Sequence, residues 1–210
     1  AELPCPALFV TGTDTGVGKT MVAAALARYL SDRGLRVGVM KPVETGVQDP
    51  DLPGSDAQLL AWAAGSTDPA ELVAPCRLAA PLAPVQAAAL EKTQVDPTAL
   101  VEALGALARD KDFVIIEGAG GLMVPLRGGY LIADLVRQFN VPLLVVSRTG
   151  LGTVNHTLLT VYAAQSMAIK VAGIMLNGME ENPDAASREA PRLLAMTASA
   201  DLLGVLPRVS

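Results

Sequence analysis

The sequence predicts a doubly wound α/β fold, a mostly parallel sheet with helices on both faces. Three observations point to it. Short apolar runs alternate with helical patterns along the whole chain. Several of those runs, Phe113-Val114-Ile115-Ile116 among them, are apolar on both faces, as strands buried between two layers of helices must be. The first run is followed at once by a glycine-rich turn that opens a helix. In such folds ligands bind at the carboxyl ends of the strands.

Taken in order, residues 7–11 form the first strand, and the helical pattern of 19–31 ends ahead of Gly34. Residues 36–41 form a second strand stopped by Pro42, and 56–64 a short helix with Ser55 as its N-cap. The stretch 65–84 is turn-rich. Helices over 84–92 and 97–109 precede the strand 113–116, which ends on Glu117. Further strands at 142–147, 171–176 and 203–206 interleave with helices at 132–139, 153–168 and 185–196. No linker, repeat or low-complexity tract interrupts the pattern, so residues 1–210 are expected to form one domain.

Composition narrows the function. The chain is 51% hydrophobic and 18% charged, which excludes disorder, yet no apolar run approaches the ~18 residues of a membrane span. With 16 Lys and Arg against 21 Asp and Glu the net charge is −5, which opposes a nucleic-acid role. Residues 1–6 carry neither a basic leader nor a long apolar stretch, so no secretory signal is expected. Cys5 and Cys76 lie far apart without a CxxC or Cys/His pattern, which argues against zinc or a disulfide and for a reducing cytoplasm.

The strongest local signal is Gly12-Thr13-Asp14-Thr15-Gly16-Val17-Gly18-Lys19-Thr20, set between a strand and a helix. Its glycines allow successive backbone N–H groups to turn around phosphate oxygens at a helix N-terminus. Lys19 reaches the β and γ phosphates and Thr20 supplies a hydroxyl to Mg²⁺. This is the P-loop NTPase type of fold, although a strict motif would put its first glycine at position 13, where Thr13 stands. Thr15, Gly16, Val17 and Gly18, with Lys19, Thr20 and Met21, are the expected nucleotide contacts.

Phosphate-bound Mg²⁺ takes a hydroxyl, phosphates, water and one or two carboxylates. Glu117 ends a strand just before Gly118-Ala119-Gly120-Gly121, and Asp56 opens a helix. Asp56 suits either a metal or the dipole of its own helix. Lys41 ends the second strand, at the sheet edge that carries Lys19. By pattern alone it is equally a solvated strand-end lysine.

Taken together, GTDTGVGKT, KPVETG, SDA, EGAGG and LGTVNHTLLT, with LNG closing a later strand, resemble the dethiobiotin synthetase family in order and spacing over nearly the whole chain. The resemblance implies an ATP-dependent cyclo-ligase of biotin biosynthesis. In the implied path 7,8-diaminononanoate takes up CO₂, supplied as bicarbonate, as a carbamate. A carbamate oxygen attacks the γ-phosphoryl group of ATP, giving ADP and a carbamic-phosphoric anhydride. The second amine then closes the ring of dethiobiotin and expels phosphate. The resemblance implies catalytic roles for Lys41 and Lys19, and Mg²⁺ held by Thr20, Asp56 and Glu117. It further implies nucleotide contacts from Asp56, Glu117, Gly118, Ala119 and Gly120, with Asn177, Gly178, Val205, Leu206 and Pro207 about the base. Thr45 corresponds to a position that contacts the diamine. Leu151, Gly152 and Asn155 correspond to the loop and helix start that receive its carboxylate, across a homodimer interface. His156, the sole histidine, reads as a structural helix-start residue.

Two features depart from the family pattern: Gly16 stands where some relatives carry an acid, and the sequence given has only three residues after Pro207. The rival is a partitioning-type ATPase switch, which shares the fold. That class resembles K-G-G-x-G-K-T, with a signature lysine where this chain has Asp14. A glutaminase-bearing synthetase would need a Cys/His/Glu constellation that the spacing does not offer.

Overall fold

The computed structural model describes residues 3–49 and 51–209. Ala1, Glu2, Pro50 and Ser210, which touch the leader expectation, the turn before Ser55 and the end of the chain, lie outside them.

The central sheet has six strands, all parallel, in the order β10-β9-β8-β1-β5-β2. These are β1 (Ala7–Gly12), β2 (Val37–Met40), β5 (Phe113–Gly121), β8 (Leu143–Arg148), β9 (Val171–Met179) and β10 (Leu202–Pro207). Two small pairs sit apart from it. β3 (Val43–Thr45) runs parallel to β4 (Cys76–Leu78), and β6 (Pro125–Arg127) forms an antiparallel hairpin with β7 (Tyr130–Leu131). The helices between them are α1 (Lys19–Ser31), α2 (Ser55–Ala64), α3 (Ala70–Val73), α4 (Pro84–Leu90), α5 (Pro97–Leu107), α6 (Ile132–Phe139), α7 (Thr153–Ser166) and α8 (Ala185–Thr197).

Strand alternation divides the core in two. Phe9, Ile116, Leu143 and Val145 face one side of the sheet and pack with Leu104, Leu107, Leu135 and Phe139 of α5 and α6. Their chain neighbours Val10, Ile115, Leu144 and Val146 face the other and meet Val22, Ala23 and Ala27 of α1 and Leu60 of α2. Small residues on α1 let that helix lie close to the sheet, which brings its N-terminus to the ends of β1 and β5. Met40 pairs with Ile116, so Lys41 and Glu117 stand next to each other where the strands end.

Several expectations are corrected. Ser55 is not the N-cap of α2: it is the first helical residue, and Gly54 caps without a side chain. The cap is supplied from outside the helix, by the Glu44 carboxylate. The stretch 65–84 contains α3 and β4, and 43–45 and 125–131 contribute strands where none is predicted. β5 and β9 run on to Gly121 and Met179, because pairing continues past the apolar runs, Gly12 with Gly121 and Pro207 with Met179. Helix α5 stops at Leu107 and passes into a 3₁₀ turn (Ala108–Asp110). α4 and α7 stop short of 92 and 168, where Lys92 and Ala168 adopt left-handed backbone. Among the described residues no helix is long and apolar enough to cross a membrane.

Candidate active site

The loop from β1 into α1 is shaped by its glycines. Gly18, the N-cap of α1, has φ 93° and ψ 28°, and a Cβ there would stand 2.0 Å from the Asn177 amide nitrogen. No other residue fits that position. Lys19 lies almost fully buried, and its Nζ donates to the carbonyl of Asp14 at 3.1 Å, arching back over the loop. Burial holds its ammonium below the ordinary lysine value, with the charge of Lys41 acting the same way and Glu117, Asp56 and Asp14 opposing.

Beside the loop lies a compact ionic cluster. The Lys41 Nζ donates to Glu117 Oε1 at 2.7 Å, to Asp56 Oδ2 at 2.9 Å and to the Gly118 carbonyl at 3.4 Å. Thr20 Oγ1 donates to the same Glu117 Oε1 at 2.8 Å. Glu117 is fully buried and Lys41 is 4% exposed. Burial works against the charge on Lys41, but Glu117 and Asp56 outweigh it and lift its pKa above the ordinary value. Lys41 is therefore no solvated strand-end lysine. The Asp56 carboxylate turns to Lys41, while Glu44 meets N–H groups of the first turn of α2, Asp56's own among them.

The cluster floors a cleft of about 680 Å³. Lys19, Thr20, Lys41, Asp56 and Glu117 line it, along with Thr15, Gly16, Gly18, Ala119 and Gly120; Thr45 stands at the same wall, and Pro81 to Pro84 form the lip. Half of the expected site residues thus come together. Others do not. Val17 is buried beneath the loop, Met21 is exposed on α1, and Gly118 meets the cleft only through its carbonyl bond to Lys41. Asn177 braces the phosphate loop, its Nδ2 donating to the Val17 carbonyl at 3.0 Å, and the Gly178 carbonyl accepts from Thr149 Oγ1 at 3.1 Å. Val205 and Pro207 border a separate depression of about 420 Å³ with Glu180, Glu181 and Arg208, whereas the half-buried Leu206 packs against the core. Leu151, Gly152 and Asn155 are exposed at the start of α7, outside the cleft. His156 begins the same helix with its backbone N–H on the Gly152 carbonyl at 3.1 Å.

Two features escaped the sequence. Glu44 is buried at the cleft wall, and burial raises its carboxyl pKa against the pull of backbone N–H groups of Ala57 and Asp56. Its place inside KPVETG was the available signal. A buried hydroxyl chain joins Thr13 of the loop to Ser147 at 3.2 Å, and Ser147 to Thr153 at 2.9 Å and Thr157 at 2.7 Å on α7. Nothing in the spacing marks it.

As donors, Thr20 Oγ1, Asp56 and Glu117 form a hard all-oxygen set of the kind Mg²⁺ accepts. Glu117 Oε2 is buried with no hydrogen-bond partner, and the other oxygen already gathers a cation, the Lys41 ammonium. Among the described residues no three His, Cys, Asp or Glu side chains are assembled for a metal.

A parallel sheet with a left-handed glycine loop, a buried lysine and a hydroxyl at the helix start define a P-loop nucleotide-binding protein. The fold is similar to that of a ParA family ATPase from Chlorobium tepidum TLS, with TM-score 0.61 and 16% identity over 98% of this chain and 85% of that one. It is equally close to the MinC:MinD cell division protein complex of Aquifex aeolicus, with TM-score 0.61 and 14% identity over 98% and 82%. At such identities the likeness is one of fold alone. A family model described as "AAA domain" matches residues 6–210.

Closer sequence relatives narrow the class. The chain is 49% identical over 180 residues to the ATP-dependent dethiobiotin synthetase BioD of Anaeromyxobacter dehalogenans (strain 2CP-1), covering 84% of this chain and 79% of the relative. It is 39% identical to that of Thermodesulfovibrio yellowstonii, over 95% and 87%, and 38% identical to that of Bacillus subtilis (strain 168), over 96% and 87%. The chain belongs to the ATP-dependent dethiobiotin synthetase family.

Proposed function

We propose that residues 1–210 work as one cytoplasmic domain that uses ATP, with Mg²⁺, to close 7,8-diaminononanoate and CO₂ into dethiobiotin, releasing ADP and phosphate. One observation carries the reading. Lys19, Lys41, Thr20, Asp56 and Glu117 converge in a single cleft with Thr45 on its wall.

In this reading the loop N–H groups and Lys19 seat the triphosphate, and Thr20, Asp56 and Glu117 hold Mg²⁺, which supplies charge neutralisation at the phosphates. Thr45 orients the diamine so that one neutral amine takes up CO₂; its nitrogen bonds carbon and loses a proton. The carbamate oxygen then attacks the γ-phosphorus as the bond to ADP breaks. Lys41 exchanges carboxylate partners for phosphoryl oxygens and stabilises the charge that grows there. Attack by the second, neutral amine on the carbamoyl carbon closes the ring; that nitrogen loses a proton as the carbon–oxygen bond to phosphate breaks, phosphate taking the bonding pair. Lys19, whose burial lowers its pKa from the ordinary lysine value, donates to the same oxygens. Asn177 and Gly178, with the depression at Val205 and Pro207, lie on the side proposed for the base. Leu151, Gly152 and Asn155 are exposed and outside the cleft of their own chain, and we assign them to a carboxylate site serving a partner subunit in a homodimer.

The test is incubation with Mg·ATP, bicarbonate and 7,8-diaminononanoate, following phosphate release and the cyclic urea by mass spectrometry. Equimolar phosphate and dethiobiotin are expected. ATP hydrolysis without the urea, stimulated by a protein partner or a membrane, would replace this reading with the partitioning switch.

A further inference from the structure

We propose that Glu44 is a positioning residue for the metal site: its buried carboxylate clamps the first turn of α2 and so fixes where Asp56 enters the cleft. The inference rests on the assignment of Asp56 to Mg²⁺ above.

A helix start leaves several N–H groups without intrahelical partners, and a nearby side chain of the cap usually meets them. α2 has no such cap, since Gly54 carries no side chain and Ser55 makes no capping bond. Glu44 takes that role from another element. Its Oε2 accepts from Gly54 N at 3.0 Å, and its Oε1 accepts from Asp56 N at 2.9 Å and Ala57 N at 3.3 Å. Glu44 is 4% exposed, so solvent does not compete for those bonds. The approach is close: a Cβ on Gly54 would stand 2.5 Å from the Glu44 carboxyl carbon. Glycine at 54 and glutamate at 44 are thus matched.

Asp56 depends on this arrangement. Its side chain is 40% exposed and its partner among the described residues is Lys41. With so little holding the carboxylate itself, its position is set by the backbone that carries it. Glu44 grips that backbone at Asp56 itself, at Ala57 next to it and at Gly54 two residues before. The grip also spans two halves of the site, because Glu44 precedes Thr45 on β3, at the same cleft wall. Groups that orient a metal ligand in this way typically account for about 10–100-fold in metal affinity.

The test uses the full chain with ADP and Mn²⁺ in place of Mg²⁺, reading free Mn²⁺ by electron paramagnetic resonance. Glu44→Ala is expected to weaken Mn²⁺ binding by about 10–100-fold and to raise the half-saturating Mg²⁺ in steady state by a similar factor, with a smaller fall in kcat at saturating metal. Glu44→Gln keeps one accepting oxygen but sets an amide donor against an N–H, and falls between wild type and Glu44→Ala. A Glu44→Ala protein that melts earlier yet binds Mn²⁺ as wild type does overturns the proposal. If Glu44→Ala does not fold, Glu44→Gln decides, and wild-type affinity there overturns it as well. Asp56→Asn separates this inference from its foundation. Undiminished Mn²⁺ binding in that variant removes Asp56 from the metal site and the inference with it; weakened binding there, with Glu44→Ala unaffected, removes the inference alone.

Discussion

Lys41 shows how a single side chain is made usable by its surroundings. An ammonium taken out of water costs several kcal/mol unless its donors are met, and here two carboxylates and a carbonyl meet them. Lys41→Ala removes the cation from between Glu117 and Asp56. Turnover is expected to fall by about 10²–10³-fold, the scale of losing one transition-state donor. ADP binding by the loop is expected to persist, because Lys19 and the loop N–H groups are untouched. Isothermal calorimetry beside steady-state kinetics checks both, and unchanged turnover would take Lys41 out of the catalytic set. Thr20 supplies a second measurement at this scale. Thr20→Val keeps the shape and deletes the hydroxyl that donates to Glu117 at 2.8 Å. The half-saturating Mg²⁺ is expected to rise by about tenfold, the equivalent of one hydrogen bond to a charged group. An unaltered Mg²⁺ dependence refutes the ligand role.

At the scale of elements, legibility followed the range of the interactions. The helices 19–31 and 132–139 carry their own periodicity and stops, and α1 and α6 begin and end where the sequence puts them. β3 and β4 are three residues each and exist only because they meet each other, which no local pattern encodes. The cap on α2 failed for the same reason: Ser55 is the local candidate, and Glu44, eleven residues earlier in sequence, has the geometry. The ion pair between Arg36 and Asp112, which ties the start of β2 to the start of β5, is another long-range device. The guanidinium donates to both carboxylate oxygens, at 2.8 and 3.1 Å, and the Arg36 N–H donates at 2.8 Å. Those bonds hold the Asp112 carboxyl down to about 2. A depressed carboxyl stabilises the fold above its unfolded pKa and ceases to as pH falls through its folded one. The urea midpoint of wild type is therefore expected to exceed that of Asp112→Asn at pH 5, with the gap closing between about pH 4 and pH 2. A gap that stays constant over this window would mean that the carboxylate charge contributes nothing.

At the scale of the whole molecule, the parallel sheet places the residues of the cleft at the carboxyl ends of its strands, and that much follows from strand order alone. The motif residues Lys19, Thr20, Lys41, Asp56 and Glu117 were legible because each sits at the end of a strand or the start of a helix. Leu151, Gly152 and Asn155 could not be joined to them by any argument within one chain, and in the structure they lie outside the cleft. Asn155, Leu159 and Tyr162 follow one another at helical spacing on α7, and Leu159 and Tyr162 are 58% and 71% exposed. Leu159 also borders a depression of about 410 Å³ shared with Met123 and with Asp14 and Thr15 of the phosphate loop. This exposed stripe, which begins at the proposed carboxylate site and passes the phosphate loop at Leu159, is the face proposed to meet a second copy. If it does, the double substitution Leu159→Glu and Tyr162→Glu gives a monomer in analytical ultracentrifugation where the wild type gives a dimer. The same variant is expected to keep its ADP affinity, since no cleft residue is altered, and to show a raised KM for the diamine. A wild-type chain that stays monomeric would remove the dimer, and a variant that stays dimeric would move the interface elsewhere; either leaves the exposed start of α7 without the role proposed for it.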